Sequence, residues 1–106
     1  MDHENRIDVI LLTKPPQSDL ARLCHKMLAK SDNAILYLAG DGVYNLFGGS
    51  IEVLGTYISL QKRIIACKED MEARGVPSNE KVMVPSDFFG QLVEEMMDEK
   101  NRIRVF

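Results

Sequence analysis

Histidine and cysteine are scarce in this chain, two of each in 106 residues, and that scarcity excludes much chemistry. His3 and His25 lie far from Cys67, and no pair has the spacing of metal ligands, so no metal site is expected. Two cysteines do not make a disulfide framework in such a chain, and a reducing, cytoplasmic setting is the expectation. Basic clusters are missing as well. With a formal net charge of -3, the chain carries no nucleic-acid footprint. No apolar run approaches the length that spans a bilayer, so no membrane partner is expected. Residues 1–6 are polar and mixed in charge, unlike a signal peptide. What remains is 45% hydrophobic and 27% charged, the composition of one soluble domain over residues 1–106.

The apolar residues are grouped in short runs. Ile7 to Leu12 reads Ile-Asp-Val-Ile-Leu-Leu, a buried strand. Thr13-Lys14-Pro15-Pro16 ends it, because two prolines forbid continuation in a central strand. Ser18 is a helix N-cap with Asp19 in the first turn. Leu20, Leu23, Cys24, Met27 and Leu28 then fall on one helical face, so Cys24 is read as core packing. Ala34 to Leu38 is a second strand. Ala39-Gly40-Asp41-Gly42 follows it, and its glycines permit a tight turn and close backbone approach. Val43 to Phe47 is read as the start of a helix that Gly48-Gly49 stops. The glycines do not complete a dinucleotide fingerprint.

Residues 50–61 fit neither period cleanly; a helix packed on the sheet is the favoured reading, against a partly ordered loop. If its apolar side chains are exposed, they form a subunit interface. Ile64 to Ala66 is a third strand and Lys81 to Val84 a fourth, ended by Pro85. Ser86 caps a final helix carrying Phe88, Phe89, Leu92, Val93, Met96 and Met97, with Glu94, Glu95, Asp98 and Glu99 on its other side. Ile103 to Phe106 closes the chain as a fifth strand.

Cys67 stands where the third strand ends and a charged helical segment begins, stopped by Gly75 and Pro77. The carboxyl edge of an open α/β sheet is where ligands and chemistry collect. A thiol beside a helix N-terminus is biased toward thiolate, and Lys14 and Lys68 would add positive potential. Glu69 and Asp70 oppose it. A buried structural cysteine is the competing reading. With no histidine nearby to act as base, a Cys-His hydrolase is disfavoured.

Strict strand–helix alternation means a parallel sheet with helices on both faces. Right-handed crossovers make the flavodoxin-like order 2-1-3-4-5 the simplest five-stranded solution. That order sets strands 1 and 3 side by side. Thr13 and Lys14 would then share one rim with Cys67 and Lys68, with Gly40, Asp41, Gly42 and Tyr44 nearby.

Asp41-Gly42-Val43-Tyr44 resembles the D/E-G-V-Y segment of the DsrE/DsrF/DsrH-like sulfur-relay family. Cys67 followed by Arg74-Gly75-Val76 is similar to the active-site region of its DsrE/TusD branch, and Arg102-Ile103-Arg104-Val105-Phe106 to that branch's closing strand. The small size and short loops are closer to the DsrH/TusB branch, and residues 48–62 depart most from the family. The resemblance implies a small flavodoxin-like protein that binds no flavin or other cofactor. It implies sulfur carried as a persulfide on Cys67 and passed between donor and acceptor proteins, a sulfurtransferase-like role if the chain is an enzyme. It also implies a trimer or hexamer, alone or with paralogues. The alternative is a non-catalytic DsrH/TusB-like subunit or binding module in which Cys67 only packs. A flavin or nucleotide protein is a weaker third reading, because Lys14-Pro15-Pro16 replaces the phosphate-binding glycines and a proline pair offers no N–H donors.

Overall fold

In the computed structural model, which describes residues 7–31, 33–47, 63–77 and 82–106, the short apolar runs become parallel strands. In chain order the elements are β1 (Asp8–Leu12), α1 (Asp19–Lys30), β2 (Ala34–Leu38), a 3₁₀ helix (Gly40–Leu46), β3 (Arg63–Ala66), α2 (Lys68–Arg74), α3 (Phe88–Met97) and β4 (Arg102–Val105). The helix expected over residues 50–61 and the Gly48-Gly49 stop lie outside the described residues. The segment expected to start a helix at Val43 belongs to the 3₁₀ helix that begins at Gly40.

The sheet is parallel throughout, as the alternation requires, but its order is β3-β2-β1-β4. The order 2-1-3-4-5 is therefore wrong. The first and third strands are not neighbours, because β2 lies between them. The physical reason is visible in β2 itself. All five of its side chains, Ala34, Ile35, Leu36, Tyr37 and Leu38, are buried, which an edge position cannot provide. Burying each of the larger aliphatic ones stabilises the fold by about 1.5–3 kcal/mol. In β4, by contrast, Arg102, Arg104 and Val105 are exposed, as suits an edge.

Of the expected fourth strand, Lys81 lies outside the described residues, and the described part forms one rung beside β3 at Met83. Met83 donates its N–H to the Ile64 carbonyl and accepts from the Ala66 N–H, each at 2.9 Å. Sheet growth runs from β1 through β2 and β3 to Met83, then reverses to β4 on the other side of β1. Right-handed crossovers put connections made in opposite directions on opposite faces. One face accordingly packs Ala21, Cys24 and Leu28 of α1, Val43 and Leu46 of the 3₁₀ helix, and Met71 of α2 against Ile10, Leu12, Leu36, Leu38 and Ile64. The other packs Phe88 and Leu92 of α3 against Val9, Ile35, Tyr37 and Ile65, with the Phe88 ring edge-on to Tyr37.

Local signals explain the helix ends with one correction. Ser18 caps α1 by accepting the Ala21 N–H at 3.1 Å. Gly75, left-handed at φ 66°, closes α2 as expected. The cap of α3 is Asp87, which accepts the Gly90 N–H, and not Ser86. The apolar stripe of α1 is also rotated. Ala21, Cys24 and Leu28 are buried, whereas Leu20 and Leu23 lie at the exposed margin.

Candidate functional site at the carboxyl rim

All four strands deliver their carboxyl ends to one rim. Cys67 follows β3 and serves as the N-cap residue of α2. Its N–H donates to the Leu38 carbonyl at 3.0 Å, and the Ala39 N–H donates to the Leu12 carbonyl at 3.2 Å. The rim thus runs from Cys67 through Ala39 and Gly40 to Leu12 and Thr13. Cys67 and the Thr13-Lys14 pair share it, but as its two flanks rather than as neighbours, because β2 intervenes.

The β3 flank is a charged network. Asp70, in the first turn of α2, accepts the Gly40 N–H on Oδ2 at 2.8 Å. Arg74, one turn on, donates from Nε to Asp41 Oδ1 at 3.0 Å and from Nη1 to Asp70 Oδ1 at 3.4 Å. The Gly40 N–H holds the Asp70 carboxyl below the usual range, with Arg74 adding to the effect. The turn after β2 is therefore clasped to α2 by two carboxylates sharing one guanidinium.

Cys67 sits at the base of that clasp, only 1% exposed. Its Sγ donates to Glu69 Oε2 at 3.4 Å. Burial pushes the thiol up from its ordinary 9.0 to about 11, and the carboxyl groups of Asp70 and Glu69 push in the same direction, against a backbone contact at Asp70 that lowers it. The helix-terminus argument for a ready thiolate is outweighed here by burial, with the two carboxylates that open α2 adding to it. At neutral pH the thiol is protonated.

The β1 flank is closed by packing. Gly42 lies so tightly against β1 that an added Cβ would fall 1.9 Å from the Leu12 carbonyl oxygen. Only a glycine permits that approach. Asn45 is fully buried and donates through Nδ2 to the Lys14 and Gly42 carbonyls at 3.0 and 2.8 Å. Its Oδ1 is then the acceptor for His25 Nε2 at 3.2 Å. Thr13 donates both its N–H and its hydroxyl to the Phe106 carbonyl, which fills the crevice between β1 and β4, the switch point of this strand order.

The rim residues read from the sequence divide accordingly. Asp41 joins the charged clasp, and Gly42 and Thr13 belong to the packed flank. Tyr44 is half-buried and stacks on Phe47 at 6.2 Å between ring centroids. Lys14 contributes its carbonyl to Asn45, while its side chain is exposed. Lys68 is exposed and, with Met71, Glu72, Val76 and Val84, lines a cavity of ≈ 440 Å³. Asn45 was not legible as a site residue, since its acceptors come together only in the fold. Asp70 and Arg74 carried the one available signal, an i, i+4 charge pair on a helix. Among the described residues no group of three or more His, Cys, Asp and Glu side chains is placed to hold a metal ion, and no helix is long and apolar enough to cross a membrane.

The fold is an α/β one, a parallel four-stranded sheet with helices on both faces, and it has likenesses among solved structures. It is similar to the ychN protein from E. coli, with a TM-score of 0.71 and 17% identity over 95% of this chain and 98% of that one. It is similar also to a protein of unknown function from Methanobacterium thermoautotrophicum, with a TM-score of 0.69 and 18% identity over the same shares, 95% and 98%. At such identities the likeness is one of fold. No protein-family profile and no curated protein matches the chain by sequence.

Proposed function

We propose that this chain is a sulfur-relay protein of the DsrE-like kind, in which Cys67 accepts sulfur as a persulfide and hands it to a partner protein. The observation that carries the reading is the position of Cys67 at the β3–α2 junction, on the carboxyl rim beside the Gly40–Asp41 turn. That is where the family resemblance locates a sulfur-bearing cysteine. In the transfer, the Cys67 thiolate attacks the outer sulfur of a donor persulfide. The donor's S–S bond breaks, the donor leaves as a thiol with the proton Cys67 gave up, and Cys67 holds the new S–S bond. The reverse exchange with an acceptor thiol delivers the sulfur. Cytoplasmic donor and acceptor proteins, and a trimer or hexamer, belong to this reading.

One observation favours a second reading. A thiol 1% exposed and raised to about 11 suits a non-catalytic subunit in which Cys67 only packs. Incubation of wild type, Cys67→Ser and Cys24→Ser with persulfide donors separates the two. The sulfur-relay reading expects one reductant-sensitive gain of about 32 Da, a single persulfide sulfur, on wild type and Cys24→Ser but not on Cys67→Ser. Wild type that stays unloaded with every donor, alone and with partner proteins, leaves the packing reading.

A further inference from the structure

Two exposed apolar flanks of opposite electrostatic character lie on opposite faces of the sheet. The first belongs to α1, where Leu20, Leu23 and half-buried Met27 form a stripe, Leu23 being 48% exposed. Lys26 and Lys30, one turn apart and both exposed, run along its outer side. The second belongs to α3. Phe89, Val93 and Met97, at successive turns, are 57%, 50% and 77% exposed, and Glu94 and Asp98 run along their outer side, both exposed. Val105 of the edge strand, also exposed, lies on this same face of the sheet beside half-buried Ile103.

A helix that leaves half its apolar arc in water forgoes burial that another surface can supply. The two flanks cannot supply it to each other within one chain, because α1 and α3 pack on opposite faces of the sheet. We infer that α1 of one copy of this chain seats on α3 of the next, apolar stripe on apolar stripe, with Lys26 and Lys30 facing Glu94 and Asp98. Each copy uses one face as donor and the other as acceptor, so the contact is head-to-tail and generates a ring if its rotation closes. The pairing is chemically selective. Two α3 faces brought together would oppose carboxylates, and two α1 faces would oppose lysines. A contact of two short helices falls below about 1,200 Å² of total buried surface, the range of weak interfaces, so single contacts dissociate readily and closure of a ring holds them. The inference gives a surface to the homo-oligomer of the sulfur-relay reading and does not depend on the chemistry of Cys67.

Charge reversal tests it. Sedimentation equilibrium of the full chain at low salt is expected to show wild type above monomer mass, with association falling as salt rises. Lys26→Glu/Lys30→Glu and Glu94→Lys/Asp98→Lys should each weaken association by about tenfold or more, equivalent to 1.4 kcal/mol. An equimolar mixture of the two should associate, since each then offers the complement of the other. The fourfold variant should recover wild-type mass while keeping the net charge of -3, which separates local pairing from overall charge. Circular dichroism of each variant checks that it is folded. Wild type that stays monomeric, an oligomer indifferent to both reversals, or folded single variants that fail to associate when mixed would each overturn the inference. A wild type that instead binds only an added lysine-rich amphipathic peptide would assign the α3 face to a different protein and overturn it too. Sulfur loading of Cys67 is measured separately, so either proposal can fail alone.

Discussion

The two flanks of the carboxyl rim are closed in different ways. On the β1 side, backbone touches backbone at Gly42 and Leu12, and a buried asparagine fills the space behind. On the β3 side, Asp70, Asp41 and Arg74 hold a turn to a helix through partly exposed charges. Packed closure tolerates no added atom, whereas a charged clasp can part and reform. A thiol that must meet a partner's sulfur is better placed under the second, and Cys67 lies there.

The largest effect is expected on the packed flank. Gly42→Ala sets a methyl group against the Leu12 carbonyl, and no flexible side chain is available to move aside. Denaturant unfolding should show a loss of about 3 kcal/mol or more, in the range of severe overpacking. A loss under 1 kcal/mol would mean the flank is not rigid. Asn45→Ala comes next. It strands the Lys14 and Gly42 carbonyls and should cost about 2 kcal/mol, the penalty of buried polar groups left unpaired.

On the charged flank, Asp70→Asn removes a carboxylate next to the thiol while an amide oxygen can still take the Gly40 N–H. Stability should change by about 1 kcal/mol, one charge-assisted hydrogen bond exchanged for a neutral one. The sharper readout is the pH profile of Cys67 alkylation. With a repelling carboxylate gone, its midpoint should fall below about 11, and labelling at neutral pH should accelerate. An unchanged profile would break the distinction between the flanks.

The two cysteines sharpen the same comparison. Cys24, fully buried on the inner face of α1, is pushed up to about 12 by burial alone, while Cys67 reaches about 11 through burial with carboxylates contributing. Both thiols hold their protons more tightly folded than unfolded. The stability this gives is complete below the ordinary 9.0 and is lost as pH rises through about 11 and then about 12. Thermal melts from pH 8 to pH 11 should show that decline, and Cys67→Ser should lessen it. Cys24 should label more slowly than Cys67 throughout. The smallest effect is that of salt, which should weaken the charged flank by roughly 0.5 kcal/mol or less and leave the packed one unmoved.

Much of this was legible in the residues. The run Ala34 to Leu38 reads as a strand, and Cys67 falls between the apolar end of one element and the charged start of the next. The strand order was not legible from periodicity, which reports which side chains face a core and not which strand lies beside which. A second feature did carry the answer. A strand whose five side chains are all apolar needs cover on both faces and both edges, so it belongs in the middle, while Arg-Ile-Arg-Val belongs at an edge. The charged clasp was invisible for a related reason. Gly40 and Asp70 are thirty residues apart in sequence, and only the parallel adjacency of β2 and β3 brings them together.

Met83 carries a consequence for the timing of local motion. Among the described residues the outer side of β3 is held by one rung, in which the Met83 N–H meets Ile64 and the Ala66 N–H meets Met83. Parting these two bonds opens that rung, whereas freeing β2 requires disrupting strands on both sides. In hydrogen exchange the Ala66 and Met83 amides should therefore turn over through local opening, long before the Leu36 amide, whose release awaits the unfolding of the sheet. Cys67 directly follows this margin but is held on its inner side by the Leu38 carbonyl and packed with Tyr37 and Phe88, so exchange at Ala66 and Met83 reports the margin's opening ahead of the thiol's.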